Sequence, residues 1–191
     1  MSAELFAPRL AALSGQGRER APELEVGALS ARRTAGWLRS GALTFACALG
    51  RGGISYAKCE GDGATPAGTF RLLHVYYRPD RVGRPRTALP VSPLPRDAGW
   101  CDDPGHARYN RMVPLPFGAS HERLWREDPL YDIVVVLDCN LFPAVRGKGS
   151  AIFFHLARPG YTPTEGCVAL ARRDMESVLA RCRPGSAMRI G

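Results

Sequence analysis

Residues 155–167 read "HLARPGYTPTEGC": one histidine, eleven residues, then one cysteine behind a glycine. The flanks are apolar, "SAIFFHLA" over 150–157 and "GCVALA" over 166–171. Short apolar runs bounded by Pro and Gly predict two buried strands, with His155 ending the first and Cys167 starting the second. If they pair antiparallel, the loop 157–165 brings the two ends side by side, and a ring nitrogen can reach Sγ. Such a pair has a chemical use. A thiol attacks carbonyls only as thiolate, and an imidazole can take its proton and later return it to a leaving amine. Gly166 permits a tight turn and close substrate approach, with backbone N–H groups near Cys167 available to a developing oxyanion. A blander reading also fits: a histidine ending an apolar strand is often a satisfied core residue, and a cysteine in "GCVAL" a buried filler. Residue types and spacing alone leave both open.

Outward from this stretch, the pattern is mostly β. "WLRSGALTFACALG" (37–50) predicts a strand pair leading into a glycine turn, and "TFRLLHVYYRP" (69–79) a strand stopped by Pro79. Between them "GGISYAKCEGDGATPAG" (52–68) is turn-rich. "YDIVVVLD" (131–138) predicts a buried strand and "SAMRI" (186–190) a last one. Met175, Val178, Leu179 and Cys182 lie at helical spacing, with Asp174 as expected N-cap and Pro184-Gly185 as the stop. "ASHERLWRED" (119–128) predicts a short helix capped by Ser120, and 79–117 a long Pro-rich loop. Residues 1–36 read as a loosely structured arm and 37–191 as one domain, mainly β (α+β), with one or two short helices.

The 191 residues carry a net charge of +8, with lysine only at Lys58 and Lys148, and the arginines are scattered rather than clustered. Without an aromatic-basic pattern, the charge points to solubility and an acidic ligand rather than nucleic acid. No apolar run approaches the roughly 20 residues needed to cross a bilayer, and the first residues lack the basic and apolar regions of a secretory signal. Six cysteines without a C-x-x-C pair, and four scattered histidines, predict no structural zinc site. Cys47, Cys139 and Cys182 sit in apolar runs and read as buried hydrophobes.

The histidine, the variable loop and "TEGCVAL", together with the upstream "GDGATPAGTFRL" (61–72), resemble the two recurring segments of the L,D-transpeptidase catalytic domain of YkuD (ErfK/YbiS/YcfS/YnhG) type. The segments "RPDR", "GWCDDP", "YNR" and "SHERLWREDPLYDIVVVL" resemble a compact proteobacterial branch of it, and the resemblance spans about 38–190. It implies a mixed β-sheet sandwich or barrel and a cysteine enzyme without metal or organic cofactor. Cys167 is then the nucleophile, His155 the general base, and donors near Gly166 and Cys167 hold the oxyanion. The implied reaction joins meso-diaminopimelate-containing peptidoglycan stems through a thioester on Cys167, by 3,3 or 1,3 links. The resemblance places the protein in the periplasm or cell envelope, in cell-wall biogenesis and cell shape, with carbapenems acylating its cysteine. A monomer is expected.

The sequence departs from the family's Ser/Thr-His-Gly-Cys at Thr164-Glu165-Gly166-Cys167, where a carboxylate replaces the second histidine. A negative charge near a thiolate raises the thiol pKa, and Glu165 could instead bind a substrate ammonium. The usual arginine after the cysteine is missing, so Arg111, Arg126 and Arg158 become candidates for substrate carboxylates. Thr164, Tyr109, Asn110, His121, Glu122 and Trp125 complete the expected substrate contacts. Asp102 and Asp103 read as turn residues or ammonium partners. Two rivals stay open: an L,D-carboxypeptidase or endopeptidase in which water resolves the same thioester, and a non-catalytic module binding anionic cell-wall polymer.

Overall fold

The computed structural model describes residues 23–29 and 32–191. Its strands are β1 (Glu23–Leu29), β2 (Arg32–Ser40), β3 (Leu43–Ala48), β4 (Ile54–Ser55), β5 (Thr65–Pro66), β6 (Gly68–Tyr77), β7 (Val91–Pro93), β8 (Ala98–Cys101), β9 (Arg111–Pro114), β10 (His121–Arg123), β11 (Ile133–Leu137), β12 (Phe153–Leu156), β13 (Val168–Leu170) and β14 (Ala187–Ile190). Among the described residues the one helix, α1, covers Arg172–Leu179, and Pro129–Tyr131 and Pro159–Tyr161 form short 3-10 turns. The expected mainly β class is what the chain adopts.

The largest sheet runs β11-β12-β13-β3-β2-β1-β14-β6-β7, and β11 also pairs with β6, which closes its first eight strands into a barrel. Strand β6 makes closure possible by changing partners along its length. Residues 68–71 pair with β14, and Val75–Tyr77 pair with β7 on that same edge. The other edge carries β11 from Leu72 to Tyr77.

Alternation decides what fills the barrel. In β11, Ile133, Val135 and Leu137 join the inner cluster, while Val134 and Val136 join a second cluster on the opposite face. All five are buried, so the run is continuously apolar rather than alternating. The inner cluster includes Leu24, Leu38, Phe154, Val168 and Met188, and Met175, Val178 and Leu179 of α1 pack onto it. Each fully buried side chain of this kind stabilises the fold by about 1.5–3 kcal/mol. The second cluster lies between β6, β11, β12 and a small antiparallel sheet, β10-β8-β9, whose Trp100 stacks edge-on against Phe153 at 5.0 Å.

Several expectations change. Residues 23–36, read as arm, supply β1 and the first part of β2, and β1 bridges β2 and β14. The alternation of Glu23, Leu24, Glu25 and Val26, with the leucine and valine buried, is the strand signal there. Residues 1–22 of the expected arm lie outside the described residues. The 79–117 stretch contains β7, β8 and β9 rather than being loop throughout. The predicted helix at 119–128 is instead β10, paired antiparallel with β8 through His121–Cys101 and Glu122–Trp100. Helix α1 starts two residues before Asp174, which lies in its first turn, with Ala171 as N-cap.

Candidate active site

β12 and β13 pair parallel, not antiparallel, with His155 opposite Ala169 and Phe154 opposite Val168. A parallel pair needs a crossover rather than a hairpin. Residues 157–167 supply it, with positive φ at Gly160 and Tyr161 turning the chain back. The returning limb is tied to the end of β3: Thr164 N–H donates to Leu49 O (2.9 Å) and Arg51 N–H to Thr164 O (2.8 Å). Because side chains alternate, Phe153, His155, Cys167 and Ala169 share the face turned away from the barrel interior. His155 and Cys167 therefore stand diagonally across one strand pair.

The Thr164–Cys167 turn is held from within. Gly166 N–H donates to Thr164 Oγ1 (3.2 Å), and that hydroxyl donates to Cys167 O (2.7 Å). Gly166 has φ +131°, and a Cβ there would meet Ala64 O at 2.8 Å. Only glycine fits such a position. Ala64 belongs to "GDGATPAG", so the two segments that carry the sequence resemblance meet at this glycine.

Cys167 and His155 are 6% and 3% exposed. Phe153 N–H donates to Cys167 Sγ, and the thiol donates to Ala151 O, both at 3.3 Å. Burial pushes the Cys167 thiol up to about 12, and the Glu122 carboxylate adds to the rise. Burial lowers His155 to about 4, while its contact with Leu156 O opposes the shift. That carbonyl, 2.8 Å from Nδ1, can only accept, so in the neutral ring Nδ1 carries the hydrogen and Nε2 the free lone pair. No hydrogen bond joins His155 to Cys167 among the described residues, and the two shifts favour a neutral thiol and a neutral imidazole over an ion pair. Tyr131 packs edge-on against His155 (centroids 5.2 Å apart) and its hydroxyl donates to Glu122 Oε1 at 2.6 Å.

A cavity of about 360 Å³ opens onto this face. Of the expected site residues, Cys167, His155, Glu165, Thr164, Arg158, Glu122 and Arg126 line it. The others do not. Tyr109 and Asn110 are buried behind it: Tyr109 donates to Glu60, and Asn110 ties Trp100, Ala151, Cys139 and Asn140 together. Arg111 stacks on Phe142, Trp125 lies under Arg78 and Arg96, and His121 contacts Ala119 O. Neighbours on a strand point to opposite faces, which separates His121 from Glu122.

The cavity also takes Lys58, Glu60, Asp102, Tyr131 and Ser150, which sequence reasoning left out of the binding set or did not single out. They come from four separate segments, so only the tertiary fold assembles them. Arg126 and Arg158 are less available than expected. Arg126 grips Asp128 with two 2.8 Å contacts, and Arg158 reaches the same carboxylate at 3.4 Å. Glu165 turns outward to Arg51 at 2.7 Å, with its side chain 78% exposed, so the negative charge acting on Cys167 is that of Glu122. Among the described residues no group of three His, Cys, Asp or Glu side chains is placed to hold a metal ion, and no helix is long and apolar enough to cross a membrane.

A closed β barrel whose outer face sets a cysteine and a histidine diagonally in the lining of one cavity has the parts of a thiol acyl-transfer site. The chain matches the model of the L,D-transpeptidase catalytic domain (YkuD) over residues 28–190 and belongs to that family. No curated protein and no solved structure gives a significant match.

Proposed function

We propose that the protein is a peptidoglycan L,D-transpeptidase of the cell envelope. The observation that carries this is the diagonal placement of His155 and Cys167 on one face of β12–β13, open to the cavity, with the tautomer that leaves Nε2 as base. Sγ of Cys167 attacks a stem-peptide carbonyl beside meso-diaminopimelate as its proton passes to His155 Nε2. The tetrahedral intermediate collapses, the carbon–nitrogen bond breaks, and the imidazolium protonates the leaving amine. A thioester remains. The side-chain amine of a second stem then attacks it, gives its proton to Nε2, and releases the thiol as the new amide forms.

The order of proton movements follows from burial. A thiol near 12 and an imidazole near 4 do not exchange a proton at rest, so deprotonation accompanies attack instead of preceding it. Of the backbone donors at this turn, Gly166 N–H is already given to Thr164 Oγ1, so Cys167 N–H is the expected oxyanion partner.

The test uses the protein and its Cys167→Ala form with disaccharide-tetrapeptide muropeptides, products being read by mass spectrometry. Dimers from the wild type alone support transpeptidation, and their fragmentation distinguishes 3,3 from 1,3 links. Shortened monomers without dimers replace it with hydrolysis. Failure of a carbapenem to acylate Cys167, with no product in either sample, overturns the enzyme reading.

A further inference from the structure

The protein is strongly basic, yet the cavity at Cys167 is not. Three cations line it, and each is already engaged by a carboxylate: Lys58 by Asp62, and Arg126 and Arg158 by Asp128. Four carboxylates line it as well. Glu165 is paired with Arg51, and Glu60 accepts hydroxyl hydrogens from Tyr109 and Ser150. The remaining two are Glu122 and Asp102, and they are neighbours in the small sheet. Glu122 is opposite Trp100 in the β8–β10 ladder, and Asp102 directly follows β8, its N–H bonded to Ser120 O.

Both have spare acceptor capacity. Glu122 Oε1 takes the Tyr131 hydroxyl and has Arg126 Nη1 only at 3.7 Å, because that guanidinium is spent on Asp128. Asp102 Oδ1 is sealed from solvent without a hydrogen-bond partner among the described residues. A buried carboxylate oxygen left unmatched is costly, and Asp102 also lines the cavity, so a ligand's donor group there meets a second carboxylate beside Glu122. The donor that matches two adjacent carboxylates is an ammonium group.

The same wall bears on the nucleophile. Tyr131 packs against His155 on one side and is tied to Glu122 on the other, so Glu122 is one side chain removed from the imidazole and shares the cavity with Sγ. Burial raises the pKa of Glu122, opposed by the Tyr131 hydrogen bond and the Arg126 charge and reinforced by the Asp102 and Asp128 charges. Of the charged groups acting on Cys167, Glu122 disfavours the thiolate and Lys58 favours it.

We propose that Glu122 determines which substrates switch this site on: its carboxylate adds to the burial that holds Cys167 as the thiol until a substrate ammonium group seats between Glu122 and Asp102. The arriving positive charge cancels the field that opposes thiolate, and Nε2 of His155 can then take the proton as Sγ attacks. A substrate without that ammonium finds a less reactive thiol. This inference rests on the acyl-transfer reading above and adds the charge that the substrate must carry.

The test reads Cys167 directly and needs no cross-linking. Carbamidomethylation by iodoacetamide, an uncharged probe, is followed at Cys167 by peptide mass spectrometry across pH, with exposed Cys59 as internal reference. Glu122→Gln keeps the shape and removes the charge, and is expected to raise the Cys167 rate about tenfold at fixed pH, one pKa unit. Added methylammonium is expected to accelerate labelling in the wild type and not in Glu122→Gln, while tetramethylammonium, which has no N–H, does neither. Equal rates for wild type and Glu122→Gln, or no response to methylammonium, each overturn the proposal. Faster Glu122→Gln labelling without any dimer from wild-type protein would leave the role of Glu122 standing and remove the transpeptidase reading instead.

Discussion

Strands β12 and β13 present two faces that differ only by the parity of residue number. Inward, Phe154, Leu156, Val168 and Leu170 are buried in the barrel core. Outward, Phe153, His155, Cys167 and Ala169 meet the second layer, where β10-β8-β9 covers part of the face and leaves a cavity over the rest. Burial is nearly complete on both sides, so solvent exposure does not separate packing from chemistry. Cys47 in β3 makes the point: it belongs to the inner cluster, and burial alone pushes its thiol to about 12, the same as Cys167. What distinguishes Cys167 is its surroundings. Its neighbours are a histidine, a carboxylate and an open volume, whereas those of Cys47 are hydrocarbon.

The largest expected effect breaks the two faces apart by substitution. Phe154→Ala removes an inner side chain that is wholly buried and is expected to destabilise the fold by about 3–5 kcal/mol. Cys167→Ala, on the outer face, gives up two weak sulfur contacts and is expected to stay within about 1 kcal/mol of wild type. Its activity should fall by about a thousandfold or more. Thermal melts beside the muropeptide assay read both quantities. A Cys167→Ala protein as unstable as Phe154→Ala would make the outer cysteine a packing residue.

The next effect is in pH. Burial lowers His155 from 6.5 to about 4, so between those values the unfolded chain binds the proton more readily and stability falls as pH drops. Cys167 is raised from 9.0 to about 12, so the unfolded chain ionises first and stability falls as pH rises above 9. Each group contributes up to about 1.4 kcal/mol per pH unit in its window. His155→Gln should flatten the acid limb of a melting-temperature profile. Cys167→Ala should flatten the alkaline limb only in part, because Cys47 and Cys139 carry the same shift. An unchanged acid limb in His155→Gln would mean that the imidazole is solvated.

The two faces were unequally legible. Apolar runs at 133–137, 153–156 and 168–170, broken only by His155, identify strands whatever their partners, because burial on both sides favours apolar side chains on both faces. They say nothing of direction, and the parallel β12–β13 pairing depends on contacts of the crossover with β3 that no local pattern encodes. At 119–128 the polar residues suggested a helix, and the pairing with β8 overrode that local preference. Cys167 and His155 stand close in sequence and could be named together. Glu60 and Tyr131 reach the cavity from distant segments and could not.

The smallest expected effect sharpens which carboxylate matters. Glu165 replaces the family's second histidine and invites a role beside the nucleophile, but its side chain leaves the cavity mouth for Arg51. An ion pair this exposed contributes about 0–1 kcal/mol. Glu165→Gln is therefore expected to keep the melting temperature within about 4 °C and dimer formation within about twofold. Glu122→Gln should affect both labelling and turnover. If Glu165→Gln instead lowered dimer formation tenfold without moving the melting temperature, Glu165 would have to swing in from Arg51 to meet the substrate. The ammonium seat would then extend from the small sheet to the Thr164–Cys167 turn, and the distinction between an inward-acting Glu122 and an outward-turned Glu165 would hold only for the empty site.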